Sequence, residues 1–497
     1  MRTAKLVAPF MALALVAAAC GGDDDDSAEP GTDAPAPTEA QPGPATTEAE
    51  APPDTEPPAT TGEGTTAPEP TEPEETTPAE TTPEETTPPA GSIVGIGPDE
   101  AIEVSMIADL TGAFAGLVTE IAAAHEVFWD DVNAQGGIAG HQVNLTVVDA
   151  GYDVAKTLEL YEGLRADTDI ITMSTGSPHT AAIAPMLNED NIVTTPLSWY
   201  SGWAFGEVGQ NVYETYTNYC IESMNAIEYL SDANDVTKVA VLSFPGEYGQ
   251  DGAAGAKKAI EALGLELVYD GEGLITPPSA DNPNPDQSAV ISGLVSSGAE
   301  MVWFTGNPAT LGAIMGGAVS QGFTGVWSGN SPSYSYKMLA VEQIAPLLAE
   351  YYYPSSYIVP WGADVPGMAE VVEKMSAARP DLPVSDVYVL AWTEGGWAKA
   401  VLEAAAAAGD LSREGIAEAA KTVEVNFQGL APDQNWLGDP NDFVVRESYI
   451  YDIDLDVYDP VMLGDGGGAT GNVVLAGPYT GSVAADFDFQ EPCFTSG

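Results

Sequence analysis

From Ala101 onward the chain swings between short apolar runs and longer segments whose apolar residues return every three or four positions, and it does so in two successive series. AIEVSMIADL, HQVNLTVVDA, DIITMST and IVTTPLS read as strands, separated by the helical patterns VTEIAAAHEVFWDDVNA, TLELYEGLRADT and TAAIAPMLNEDN. A longer helix is expected over about Tyr213 to Leu230. The alternation then restarts with KVAVLSF, AAGAKKAIEALG, LELVYDGEGL, SAVISGLVSSG, EMVWFTG, ATLGAIMGGAVSQG and GVWSG. Parallel strands need a crossover between them, and a helix of this length supplies it. Behind the first helix Gly136 and Gly137 provide the positive φ that stops it, and Gly140 turns the chain into the next strand. The expected fold class is α/β, with two doubly wound parallel-sheet lobes. The helix-rich stretch from Pro366 to Val423 is expected to cover one sheet, and SYIYDIDLDVYDPVML to form a hairpin or edge strands.

The front of the chain has a different character. Residues 1–19 carry Arg2 and Lys5, then an apolar run from Leu6 to Ala19 with small residues before Cys20, the layout of an export signal. That run is too short for a comfortable membrane span. VAAAC resembles the lipobox of bacterial lipoproteins, which implies cleavage before Cys20 and lipid attachment to it. The other reading is an ordinary secretory peptide with an incidental cysteine. Residues 20–92 hold no Lys or Arg after the cysteine and repeat Pro, Thr, Glu and Asp. Such a segment cannot bury enough apolar surface to offset its ordering entropy, so a disordered acidic tether is expected.

Across all 497 residues, 14 basic against 75 acidic side chains give a net charge of −61. Nucleic acid and anionic lipid surfaces would repel such a chain, which leaves a lipid anchor as its expected route to a membrane. Export also permits Cys220 and Cys493 to pair, and the alternative for each is a free buried thiol.

Several motifs carry a family resemblance. ADLTGAFAG, VNAQGGIAG, VNLTVVDAGYD, TMSTGSPHTAAIAP, NIVTTPLS, LSFPGEYGQDGAAGAKKAIEALG and VWFTG, in this order, resemble the branched-chain amino acid binding proteins of ABC importers, in the type I periplasmic binding protein superfamily. The resemblance runs from about Glu103 to about Asp456. It implies two lobes joined by three hinge crossings, near Ser231 to Val236, Tyr351 to Ser356 and Trp436 to Val444. Residues 93–231 and 356–436 would then form lobe 1, and 236–351 with 444–497 lobe 2.

Ligands of open parallel sheets sit beyond the carboxyl ends of the strands, where helix N-termini offer free N–H groups. In GSPHT, Ser177, His179 and Thr180 are candidates, and Ser177 and Thr180 serve equally well as helix caps. In PLSWY the resemblance assigns Ser198 and Trp199 to the cleft of the first lobe, although Trp199 also reads as a lid or surface aromatic. On the second lobe it assigns Tyr248, Asn307 and Asn330. Family members that hold an amino acid commonly present an acidic residue to its ammonium, and the matching position here is Asn330. An amide cannot neutralise a buried ammonium. Together with Phe114 in the first turn, this implies a less charged or larger ligand, such as an amide, an organic acid or an aromatic compound.

An enzyme reading finds no support in the motifs. GxSxG, GxxxxGK[ST], HExxH and paired CxxC are absent, and His125, His141 and His179 lack metal-ligand spacing. GDGGGATG opens no helix and has no following Lys, so it reads as a hairpin loop rather than a phosphate cradle. The expectation is a monomeric solute-binding lipoprotein without metal or cofactor. It would capture a small-molecule ligand between closing lobes and pass it to an ABC importer permease. The alternative is a sensing module that presents its closed form to a receptor or wall enzyme.

Overall fold

The computed structural model describes residues 93–279 and 281–495, so the expected export signal, the Cys20 anchor and the tether lie outside the described residues. The first series builds β1 (Ile102–Ala108), α1 (Ala115–Ala134), β2 (Val143–Asp149), α2 (Val154–Leu164), β3 (Ile170–Thr175), α3 (Ser177–Asp190) and β4 (Thr194–Leu197). Its strands form one parallel sheet in the order β2-β1-β3-β4. β3 is buried along its whole length, which is why DIITMST shows no polar alternation. The glycines behind α1 act as expected. Gly137 has φ +71°, and a Cβ there would stand 1.9 Å from the His141 carbonyl oxygen, so the reversal into β2 has no room for a side chain.

After the short α4 (Gly206–Gly209) comes α5 (Tyr219–Ala233), then β5 (Lys238–Ser243), α6 (Gly246–Leu263), β6 (Glu266–Gly271), α7 (Ser288–Ser297), β7 (Met301–Thr305), α8 (Pro308–Ser320), β8 (Val326–Gly329), α9 (Ala345–Tyr351) and β9 (Tyr352–Ser356). Three helices follow, α10 (Met368–Ala378), α11 (Tyr388–Ala408) and α12 (Arg413–Ala420), with a two-stranded ribbon of β10 (Glu424–Val425) and β11 (Gln434–Asn435). The chain ends with α13 (Pro440–Phe443), β12 (Ser448–Ile453), β13 (Asn472–Tyr479) and α14 (Ser482–Asp486). The second sheet runs β13-β12-β9-β8-β7-β5-β6. Its five strands from β9 to β6 are parallel and repeat the winding order of the first sheet, while β12 and β13 extend it antiparallel. The chain is thus α/β with two doubly wound cores.

Three sequence expectations shift. The helix expected from Tyr213 begins at Tyr219, because Asn218 caps it by accepting from Ile221 N at 2.9 Å, and Tyr216 before it has φ +73°. α5 also packs on α6 and touches β7, β8, β9 and β12, so it belongs to the second lobe. The first crossing therefore falls before this helix, in the extended segment up to Asn218, and not at Ser231 to Val236. The segment Tyr352 to Ser356 is itself a strand paired with β8, which moves the second crossing to the residues that follow it. α11 then packs on α1, β3 and β4 and covers the first sheet. At the third crossing the chain leaves Trp436, packed edge-on to Tyr213, and reaches Asn441, whose amide donates to Asp488 at 2.7 Å.

Cys220 and Cys493 are disulfide-bonded, tying the C-terminal tail to α5. Among the described residues no helix is long and apolar enough to cross a membrane.

Candidate functional site

The carboxyl ends of the two sheets face each other, and the lobes meet across the gap. Phe114, in the turn before α1, packs edge-on against Tyr248 of α6 with ring centroids 5.9 Å apart. Asn307 donates from Nδ2 to the Ala113 carbonyl at 3.1 Å. Beyond β8, Tyr336 donates to Glu120 of α1 at 3.2 Å, and Lys337 pairs with the same carboxylate at 2.9 Å. Near the tail, Ser201 donates from its backbone N and Oγ to the buried Asp251 of α6 at 3.0 and 2.5 Å.

These contacts rim a cavity of about 90 Å³ open to the centres of water-sized molecules. A single water needs roughly 10–15 Å³ by that measure, so the space admits the body of a small organic molecule. Its wall is largely aromatic and aliphatic: Leu117, Val118 and Ile121 of α1, Trp199 after β4, and a run of tyrosines that includes Tyr152, Tyr219, Tyr248 and Tyr357. Trp199 and Tyr357 pack with tilted rings and centroids 4.2 Å apart, which joins the first lobe to the strand end of the second. Burial holds the Tyr219 and Tyr248 phenols far above their ordinary value, so both are neutral donors. Among the described residues no Lys, Arg or His lines the cavity.

Its polar features are sparse. Gly176, with φ +94°, lets α3 begin against the cavity, and Gly176 and Ser177 both line it. Ser177 Oγ and Ser198 Oγ are 2.7 Å apart. A ligand oxygen placed here meets a hydroxyl and the partial positive charge of a helix N-terminus.

Of the candidates drawn from the sequence, Phe114, Ser177, Trp199 and Tyr248 line the cavity. The other five stand behind its wall. Ser198 is fully buried and accepts from Trp203 Nε1 at 3.0 Å while holding Ser177. Thr180 Oγ1 lies 2.8 Å from Ser174 Oγ and fastens α3 to β3. His179 packs on Tyr152 with centroids 4.2 Å apart, and burial lowers its basicity. Asn307 caps α8, accepting from Thr310 N at 2.9 Å, and spends its amide on the closure contact described above. Asn330 donates to Glu222 at 2.7 Å and accepts from Thr305 at the same distance, so its amide is committed inside the second lobe. Glu222 in turn accepts from Ser355 Oγ at 2.5 Å and Ser331 N at 2.8 Å. Both of those residues line the cavity.

Sequence reasoning missed Tyr152, Tyr219, Tyr357 and Asp386 on the wall. Tyr152 sits in the GYD turn after β2, a strand end like those that carry Ser177 and Trp199. Tyr357 opens the second crossing and Asp386 immediately precedes α11, and neither gave a periodic signal.

A family model described as periplasmic binding protein matches residues 101–459. The chain belongs to the periplasmic binding protein family. A Leu/Ile/Val-binding protein homologue of Brucella melitensis is 28% identical over 214 residues, covering 41% of this chain and 54% of that protein. The match thus spans about half the length of that curated relative. Among solved structures, a fatty acid ABC transporter substrate-binding protein from Thermomonospora curvata is 25% identical with a TM-score of 0.70, covering 81% of this chain and 97% of the other. A branched chain amino acid ABC transporter protein from Thermus thermophilus with bound valine shares the fold, at 18% identity and a TM-score of 0.61, covering 78% of this chain and 98% of the other. For a periplasmic binding protein, the position of the cavity between the two sheet ends is the expected one.

Proposed function

We propose that this periplasmic binding protein is an extracytoplasmic solute-binding lipoprotein. It closes its lobes on a small molecule with an apolar or aromatic body and delivers it to an ABC importer permease. The observation that carries this reading is the aromatic wall of the cavity, free of lysine and arginine among the described residues, with its acceptor-binding corner at Ser177. A carboxylate or amide oxygen fits that corner, and the remaining surface rewards apolar area at about 25 cal/mol per Å² buried. The description of the Thermomonospora curvata protein as a fatty acid ABC transporter substrate-binding protein supports an apolar ligand class. Phe114, Ser177, Trp199 and Tyr248 contact the ligand, whereas Ser198, His179, Thr180, Asn307 and Asn330 hold the contacting residues and the closed rim in place.

Closure is a population shift: a ligand that touches both lobes favours the closed state by its differential affinity for it. A thermal-shift screen of carboxylates and amides should give hits whose affinity falls about tenfold in Phe114→Ala and in Ser177→Ala, measured by titration calorimetry. Unchanged affinity in both variants would remove the cavity from the account. The lipid anchor is tested separately. Cys20→Ala should move the protein from the membrane fraction to the soluble extracytoplasmic fraction, and continued retention would exclude it.

A further inference from the structure

A second polar cluster lines the same cavity and shares no hydrogen bond with Ser177. Asp386, just before α11, is 9% exposed. Its Oδ1 accepts from Trp361 N at 2.7 Å and from Thr470 Oγ1 at 2.8 Å, and its Oδ2 accepts from Asn472 Nδ2 at 2.6 Å. A carboxylate has about four lone-pair sites, so one on Oδ2 is left. Every group that holds Asp386 is neutral; no cationic side chain among the described residues stands beside it, and burial raises its pKa.

Two further acceptors adjoin it. Asn472 is oriented by its Nδ2 donation to the carboxylate, which identifies Oδ1 as its acceptor atom, and that oxygen is buried without a partner. Tyr334, 8% exposed and stacked on Tyr352, has a buried hydroxyl without a partner. Asp386, Asn472 and Tyr334 all line the cavity. Unmatched buried acceptors are costly, and a buried carboxylate without a countercharge is costlier still.

We propose that this corner is a subsite for a primary ammonium group of the ligand, which donates one N–H each to Asp386 Oδ2, Asn472 Oδ1 and the Tyr334 hydroxyl oxygen. An ammonium is the group that supplies three donors and the missing positive charge together. Asp386 then provides the carboxylate that position 330 lacks, from a different element of the fold. The ligand is accordingly an amphipathic amine, with an apolar body separating the ammonium from an acceptor head at Ser177. This subsite rests on the proposed function, since it requires the ligand to occupy the cavity between the lobes.

The test is calorimetric titration of the full chain with butyrate, hexanoate and octanoate, each against the same acid carrying a terminal primary amine. For at least one length the amine should tighten binding about tenfold. Asp386→Asn should abolish that gain, read as the ratio of the affinities for the amine-bearing and the unsubstituted acid within the same variant. Tyr334→Phe and Asn472→Ser should each reduce the gain, and they carry the test if Asp386→Asn does not fold. Binding of the unsubstituted acids with no gain from the amine at any length, or a gain that survives in these variants, overturns the subsite and leaves the cavity reading intact. Failure of both series to bind overturns both.

Discussion

Lowering the pH from about 8 to about 5.5 should raise the free energy of unfolding by on the order of a few kcal/mol. The cause is a set of carboxyl groups sealed away from water. Glu222 and Asp251 are each pushed up to about 7 by burial, against the hydrogen bonds that favour their charged forms. Glu214 and Glu394 are raised well above the ordinary range, also by burial. A carboxyl whose folded value lies above its unfolded value binds more protons in the folded state. Its stabilisation is complete below the unfolded value, near 4, and is lost as the pH rises through the folded one.

Two histidines oppose this. Burial lowers His125 to about 3 and also lowers His179, so below about 6.5 the unfolded chain takes up protons that the folded chain refuses. Four carboxyls outweigh two imidazoles in that window. The proton between His125 and Glu394, 3.3 Å apart, stays on the carboxyl because neither charge is solvated there. Protonation also relieves the repulsion among 75 acidic residues. Denaturant titrations at stepped pH give the slope directly. Stability that is flat or climbs toward pH 8 would contradict these assignments, and Asp251→Asn should make the slope shallower.

Reduction of the disulfide, or Cys493→Ser, should lower the free energy of unfolding by about 2 to 4 kcal/mol. The two cysteines are 273 residues apart, and for a closed loop of that size chain entropy alone allows about 5.6 kcal/mol. The bond holds more than the tail. Cys493 N donates to Ser201 Oγ at 2.8 Å, and Tyr200 donates to the Phe494 carbonyl at 2.7 Å. A residue chain anchored on α5 of the second lobe thus reaches the segment after β4 of the first. Denaturant midpoints with and without reductant measure the effect, and coincident midpoints would show that the bond adds nothing.

The two sheets were legible because their central strands are buried on both faces, and a run such as VAVLS or MVWFT has few other uses. The turn glycines behind α1 were legible for a steric reason that survives any tertiary context. The start of α5 was not, since Tyr213 and Tyr216 continue an apolar pattern while serving the crossing. β13 was missed because most of its residues face solvent and show no core periodicity.

The site divides along the same line. Ser177, Trp199 and Tyr248 follow strand ends, where topology alone directs attention. Ser198, Thr180 and Asn330 follow strand ends as well, yet neighbouring side chains absorb their hydrogen bonds, and no local pattern announces that. Asp386 and Asn472 come together only through the second crossing and an antiparallel edge strand, 86 residues apart.

The central claim is that the ligand lies between the lobes, at the carboxyl ends of both sheets. A crystal structure with the tightest-binding carboxylate or amide tests it most directly. The account predicts ligand density bounded by Ser177, Trp199 and Tyr248, with Phe114 and Tyr248 in contact across the closed rim. Density confined instead to the polar groove beside Lys374 and Trp392 on the first lobe would contradict it.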